Sequence, residues 1–215
     1  KPLQMIHNKY TVVLPTLWKS ARIHKLLQDL IQCDSIGEII MIDNSSEFYD
    51  HYTQLEKVRV IQPKENLYVN PSWNLGVKEA KYNCIALIND DVNFDPIIFS
   101  IIDESKLKST GVIGMDNKNY MFRKFKTDPE VLPYTNPRPW GWGCFILFHK
   151  LNYAPIPDSI KLWFGDDFLI YHNPADTYTL HNFPIKTEMS TTISSIASPH
   201  TEAIKELDGK IYRSL

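Results

Sequence analysis

The sequence predicts an α/β domain: a mostly parallel central sheet with helices on both faces and a smaller mixed portion towards the C-terminus. Three observations carry that prediction. The first half alternates continuous apolar runs with helix-period stripes, the pattern of parallel strands covered on both faces. Polar side chains follow directly after several of those runs, where an open α/β sheet places its ligands. Finally, 215 residues, 43% hydrophobic and 22% charged, suffice for a sizeable core without staples.

The first run, Tyr10-Thr11-Val12-Val13-Leu14, reads as a buried strand stopped by Pro15. Ser20 reads as the cap of a helix in which Ile23, Leu26, Leu27, Leu30 and Ile31 form one apolar stripe. Ile39–Ile42 is a second buried strand, and a weaker helical stretch runs on to about Leu55. Val58–Ile61 is a third strand, ended by Pro63, and residues 71–81 form a helix with Pro71 near its start. Cys84–Ile88 completes a βαβαβαβ order, with right-handed crossovers expected. Later come strands at Gly111–Met115 and Cys144–Phe148, and a further one over Tyr120–Phe125. A four-proline segment, Asp128–Pro139, reads as a mobile loop. A short helix opens at Gly165, two small strands lie within Tyr178–Glu188, and a terminal helix covers Thr201–Leu207.

Composition excludes several functions. A net charge of −2 argues against a nucleic-acid surface. No apolar run approaches the roughly 20 residues of a membrane span. The Lys1–Asn8 start is too short and mixed for a signal peptide, so the Asn44-Ser45-Ser46 sequon carries no weight. A first residue that is not Met is consistent with a piece of a longer chain carrying further domains. Cys33, Cys84 and Cys144 are far apart and sit beside apolar residues, reading as buried thiols in a reducing compartment. Neither GxGxxG nor GxxxxGK[ST] occurs, which disfavours dinucleotide oxidoreductases and P-loop enzymes.

The strand ends at Thr16, at Asp43-Asn44 and at Asn89-Asp90-Asp91 offer polar groups, with turn and capping chemistry as the alternative at each. Adjacent carboxylates repel and lose solvation at the end of a buried strand. A divalent cation removes that cost, and hard oxygen ligands suit Mg²⁺ or Mn²⁺. Gly165-Asp166-Asp167 repeats the theme beside Trp163 and Phe164, an apolar wall suited to a general base. Asp167 is the better candidate to face a cleft, while Asp166 could simply cap the helix.

Taken in order, these segments resemble the GT-A fold glycosyltransferases, especially the inverting family-2 type. The matching segments are the strand into Pro15-Thr16, the strand Ile39–Asp43, Asn66–Ala80 (with Asn66, Asn74, Gly76 and Ala80), and Leu87–Val92 as a DxD-type motif. Trp140–Phe148 resembles the glycine-aromatic segment lining the sugar site, and Gly165-Asp166-Asp167 the "ED" base motif. Asn89 stands in place of the first acid of DxD, Tyr68 in place of a glycine, and Asp166 in place of the Glu. The compact, lysine-rich sequence also resembles enzymes of large DNA viruses such as chlorella viruses.

The resemblance implies a single GT-A domain over 1–215, with a nucleotide-binding half at about 9–95 and an acceptor and catalytic half at about 96–215. It implies a cytoplasmic, metal-dependent glycosyltransferase, in the host cytoplasm if viral. The sugar would move from a nucleotide donor, UDP-linked by expectation, to a glycan or glycoprotein acceptor with inversion. Thr16, Asp43, Asn66, Asn70, Asn74, Asp90 and Trp142 would then line the donor site, and Trp140 and Trp142 could stack on sugar faces, with a core aromatic role as the alternative for each. Asp91, with His200 or His181 as the late histidine, would hold Mn²⁺ or Mg²⁺, with a surface role as the alternative for each histidine. Asp167, with Asp166 beside it, would be the base. The alternatives are a catalytically inactive nucleotide-sugar-binding protein of the same fold and a sugar nucleotidyltransferase. The latter is disfavoured because Leu14–Trp18 holds no glycine.

Overall fold

The computed structural model describes residues 9–45, 54–188 and 199–215. Strands β1 (Tyr10–Thr16), β2 (Ile36–Asp43), β3 (Val58–Ile61) and β4 (Cys84–Ile88) pair in parallel in the order β3-β2-β1-β4. Helix α1 (Arg22–Gln32) joins β1 to β2, and α2 (Val69–Glu79) joins β3 to β4. Then follow β5 (Val92–Phe94), α3 (Ile98–Ile101), α4 (Glu104–Thr110), β6 (Val112–Met115), α5 (Lys118–Met121), β7 (Glu130–Pro133) and β8 (Phe145–His149). The chain continues through α6 (Gly165–Tyr171), β9 (Thr177–His181), β10 (Ile185–Thr187) and α7 (Pro199–Tyr212).

The large sheet extends as β8-β6-β9-β7 beyond β4. β8 runs antiparallel to both β4 and β6, β9 is parallel to β6, and β7 closes the edge antiparallel to β9. β5 and β10 form a separate antiparallel pair. The mixed second portion is thus grafted onto β4, the strand that ends in the acidic triplet.

Side-chain alternation divides the core between the two faces of the sheet. Val12 and Leu14 pack with Ile23, Leu26, Leu27 and Leu30 of α1. Val13, between them, packs with Trp73 and Val77 of α2. Each such fully buried aliphatic side chain contributes about 1.5–3 kcal/mol.

The structure corrects several local expectations. Pro15 does not stop β1, which runs on to Thr16. The β1–β4 ladder ends at Val13 and Leu87, so beyond it β1 pairs with β2 alone and the missing N–H of proline is tolerated. Ala21, not Ser20, sits at the N-cap of α1, while Ser20 Oγ accepts from the Arg22 N–H at 3.2 Å and donates to Glu188. Instead of a strand, Tyr120–Phe125 begins within α5, a short helix opened by Asp116 accepting from the Lys118 N–H at 2.9 Å. The segment 128–139 contains strand β7, whose edge position accommodates Pro133. Cys33 is half-buried, and no disulfide joins the cysteines. Most of the helical stretch expected before Leu55 falls on 46–53, outside the described residues.

α7 is longer than the expected 201–207. Its Asp208 is fully buried, and its carboxylate accepts from the backbone N–H groups of Lys161 (2.9 Å), Leu162 (2.8 Å) and Trp163 (2.9 Å). Hydrogen bonds to a charged group contribute about 1.5–3 kcal/mol each, so this carboxylate is a principal anchor of the helix.

Candidate functional site

The carboxyl ends of β1, β2 and β4 meet. The Asn44 N–H donates to the Thr16 carbonyl at 2.9 Å, bringing the ends of β1 and β2 together. Thr16 Oγ1 donates to Asp90 Oδ2 at 2.6 Å and accepts from the Trp18 N–H at 2.9 Å. One hydroxyl therefore links the turn after β1 to the turn after β4. Asp43 is buried, and its Oδ1 accepts from the N–H and hydroxyl of Ser45. Asn44 accepts from the Leu67 N–H at 3.0 Å and donates to Ser72 Oγ at 2.9 Å, so the end of β2 positions the start of α2.

Asp90 and Asp91 are each only 6% exposed. Burial pushes the Asp90 carboxyl from its ordinary 3.8 up to about 6; the Thr16 bond opposes this and the neighbouring Asp91 adds to it. Burial also pushes Asp91 up, and Glu188 adds to that effect. Oδ1 of Asp91 and Oδ2 of Asp43 are buried and find no hydrogen-bond partner among the described residues. Hard divalent cations such as Mg²⁺ take carboxylate oxygens and commonly draw further ligands from a phosphate, and an unpartnered carboxylate oxygen beside a second acid is compatible with that chemistry.

The folded chain binds a proton at Asp90 more tightly than the unfolded chain does. It therefore holds more protons between pH 3.8 and about 6, and this contribution to stability falls as pH rises through that window. Asp90→Asn should raise metal-free stability at pH 7 by about 3 kcal/mol, with the gain shrinking towards pH 4. Urea unfolding in EDTA reads this directly. A gain that ignores pH would mean that Asp90 carries no ionisation cost in the fold.

The second acidic site opens α6. Asp166 Oδ1 accepts from the Asp167 N–H at 3.0 Å, and its Oδ2 pairs with the Arg138 guanidinium. Arg138 Nε also reaches Asp167 Oδ1 at 3.1 Å. Burial pushes Asp166 up, Arg138 opposes, and Asp167 adds to the rise. Both oxygens of Asp166 are thus engaged. Asp167 uses Oδ1 for Arg138, which leaves Oδ2 to receive a proton. Asn136 Oδ1 accepts from the hydroxyls of Tyr134 (3.0 Å) and Tyr171 (2.8 Å), tying the Arg138 loop to α6.

Other expected site residues sit elsewhere or are already occupied. Trp142 has no exposed surface; its Nε1 donates to the Tyr178 carbonyl at 3.3 Å and its ring packs on Gly114. It is a core residue and cannot stack on a sugar. A Cβ at Gly114 would stand 2.2 Å from that indole, so Gly114→Ala should destabilise the fold by about 1–3 kcal/mol. Thermal unfolding measures the loss, and an unchanged Tm would contradict this packing. The exposed aromatic is Trp140, edge-on to Tyr120, whose hydroxyl donates to the Gly141 carbonyl at 2.7 Å.

Asn70 is buried and donates to the carbonyls of Ile160 (3.2 Å) and Trp163 (3.1 Å). Asn74 donates to the Ile156 carbonyl and Asp158, and accepts from Tyr153 and the Ile156 N–H. Asn74 thus uses both its oxygen and its nitrogen on the chain itself, and Asn70 uses its amide N–H groups on the backbone at 160–163. Asn66 is exposed and accepts from the Tyr68 N–H at 2.7 Å. His200 is exposed and meets the Tyr68 hydroxyl at 3.0 Å. No group of three or more His, Cys, Asp or Glu residues spaced for a metal occurs among the described residues, so His200 does not join Asp90 and Asp91. His181 faces Asp116 at 3.6 Å.

Sequence reasoning missed Arg138 and Asp208. Arg138 lies in a proline-rich segment that reads as loop, and Asp208 in a helix without a clear apolar stripe. Neither position carries a local motif.

The family model described as glycosyl transferase family 2 matches residues 11–114. No curated protein sequence matches the chain. Among solved structures, S. aureus TarS 1–349 is similar over 86% of this chain and 62% of its own, with 17% identity and a TM-score of 0.60. GalNAc-T7, solved with UDP, GalNAc and Mn²⁺, is similar over 83% of this chain and 43% of its own, with 13% identity and a TM-score of 0.61. TarS 1–349 in complex with UDP gives 81%, 59%, 18% and 0.58 respectively. The chain therefore spans about two-fifths to three-fifths of the length of these proteins, and its fold is that of the GT-A glycosyltransferases. No helix among the described residues is long and apolar enough to cross a membrane.

Proposed function

We propose that this chain is a glycosyltransferase that moves a sugar from a nucleotide donor, UDP-linked by preference, to an acceptor hydroxyl with inversion. The observation that carries the reading is the pairing of two acidic sites within a GT-A fold. One is the Thr16–Asp90–Asp91 cluster at the strand ends, and the other the Asp166–Asp167–Arg138 cluster opening α6. UDP in complexes of TarS and GalNAc-T7 supports the choice of nucleotide.

Asp43 and Thr16, at the ends of β2 and β1, lie where an open sheet receives a nucleotide. Asp91, with its unpartnered Oδ1, would hold Mn²⁺ or Mg²⁺ together with the donor diphosphate, and Asp90 would stand behind it. Such a cation supplies Lewis-acid stabilisation to a departing diphosphate. Asp167 Oδ2 takes the proton of the acceptor hydroxyl. The acceptor oxygen bonds to the anomeric carbon while the bond from that carbon to the diphosphate oxygen breaks, and one displacement inverts the centre. Arg138 holds Asp167 in place and fully engages Asp166, which makes Asp166 the supporting acid rather than a second base.

The test is to incubate the chain with a panel of UDP-sugars, Mn²⁺ and a glycan array, following UDP release and acceptor mass. The reading predicts UDP release coupled to a one-sugar mass gain. Pyrophosphate release from a nucleoside triphosphate and a sugar phosphate, with no transfer, would replace it with nucleotidyl transfer. Nucleotide binding without any turnover would replace it with an inactive binding protein.

A further inference from the structure

Helix α7 presents one face to the segment that leads into the catalytic turn. Lys205, Asp208, Gly209 and Tyr212 fall at i, i+3, i+4 and i+7, so they share that face. Lys205 Nζ lies 4.9 Å from the centroid of the Trp163 ring. The Asp208 carboxylate receives three successive backbone N–H groups, those of Lys161, Leu162 and Trp163. A Cβ at Gly209 would stand 3.3 Å from the Phe164 ring, which stacks on Tyr212 at 5.3 Å. From the opposite side, Asn70 of α2 donates to the carbonyls of Ile160 and Trp163, and its own N–H donates to the Lys161 carbonyl at 3.0 Å. The backbone from Ile160 to Trp163 is thus gripped on both its donor and acceptor sides, immediately before Phe164 turns through a left-handed conformation (φ 62°) into Gly165-Asp166-Asp167.

We propose that Asp208 is a positioning residue for transfer. With Asn70 it forms a buried brace that fixes the 160–164 backbone, and so fixes where Asp167 stands relative to the acceptor hydroxyl. The proposal rests on the reading of Asp167 as base and deepens it: the C-terminal helix becomes part of the catalytic apparatus. A carboxylate suits this task because it is acceptor-only and takes three N–H groups at once. An amide at the same place turns two donors of its own towards backbone donors. Displacement of a reacting group by an ångström can cost about a hundredfold in rate, so a small loosening of this turn reads out in turnover rather than in donor affinity.

The experiment compares Asp208→Asn with Ile211→Ala, which trims a side chain packed on the same core from the same helix without touching the 161–163 amides. Amide hydrogen exchange, UDP affinity and turnover are measured on each. Asp208→Asn should speed exchange at residues 161–163 and in the first turn of α6, and lower turnover by about ten- to a hundredfold. UDP affinity should stay within about twofold, because Asp208 contacts nothing at the strand ends. Asp208→Glu, which keeps the carboxylate, should recover part of both losses. Ile211→Ala should cost stability but leave turnover and 161–163 exchange near wild type. Faster exchange confined to α7, or equal turnover in the two variants at matched stability, would overturn the proposal. Wild-type exchange gives an answer even if Asp208→Asn fails to fold: the 161–163 amides should open together with α7, and fast exchange there beside a protected α7 refutes the brace. A wild-type chain that releases no UDP from any donor sinks the glycosyltransferase reading, while the exchange pattern still decides the brace.

Discussion

Asp167→Asn is expected to lower sugar transfer by about 10²–10⁴-fold, the usual contribution of a positioned general base, and to leave nucleotide binding unchanged. The substitution keeps the shape of the side chain and its contact with Arg138 through an amide oxygen, but removes the oxygen that receives the proton. Asp166 is poorly placed to take over, because its two oxygens already serve the Asp167 N–H and the Arg138 guanidinium. Single-turnover transfer with a matched donor and acceptor, alongside UDP titration, separates the two effects. Near-normal transfer by Asp167→Asn would mean that the base lies elsewhere.

Asp91→Ala is expected to remove the metal-dependent part of nucleotide binding and to lower turnover by about 10²–10³-fold. The change deletes a buried carboxylate whose Oδ1 has no partner among the described residues but which is hydrogen-bonded to the Thr187 side chain. Metal-free thermal unfolding of the variant, measured alongside, separates any loss of stability from the loss of the site. Retention of the Mn²⁺ effect on UDP affinity in Asp91→Ala would remove that residue from the metal site.

The architecture of the first half was legible because its signals are local. The run Tyr10–Leu14, the α1 stripe and Cys84–Ile88 each declare themselves within ten residues, and the order of strands and helices then leaves few topologies. Thr16 and Asp90 could each be named from their place after a strand, although their mutual bond spans 74 positions in sequence and no local pattern encodes it. The misreadings share a cause. Asn70 and Asn74 are chemically suited to bind a donor, but the folded chain spends them on the backbone at 156–163, which only the tertiary structure brings near. Trp142 looks like a sugar platform beside Trp140 until the chain turns it inward onto Gly114. β7 stayed hidden because its strand is short, sits at the sheet edge and carries a proline. Arg138 and Asp208 act across 28 and 45–47 positions, so their roles emerge only once α6 and α7 are in place.

The central claim is that the ends of β1, β2 and β4 form a metal-assisted site for a nucleotide sugar. Its most direct test is calorimetric titration of the wild-type chain with UDP and GDP, each with and without Mn²⁺. The account predicts saturable UDP binding that strengthens with Mn²⁺ and is displaced by a UDP-sugar. Binding of neither nucleotide, with or without Mn²⁺, would contradict it.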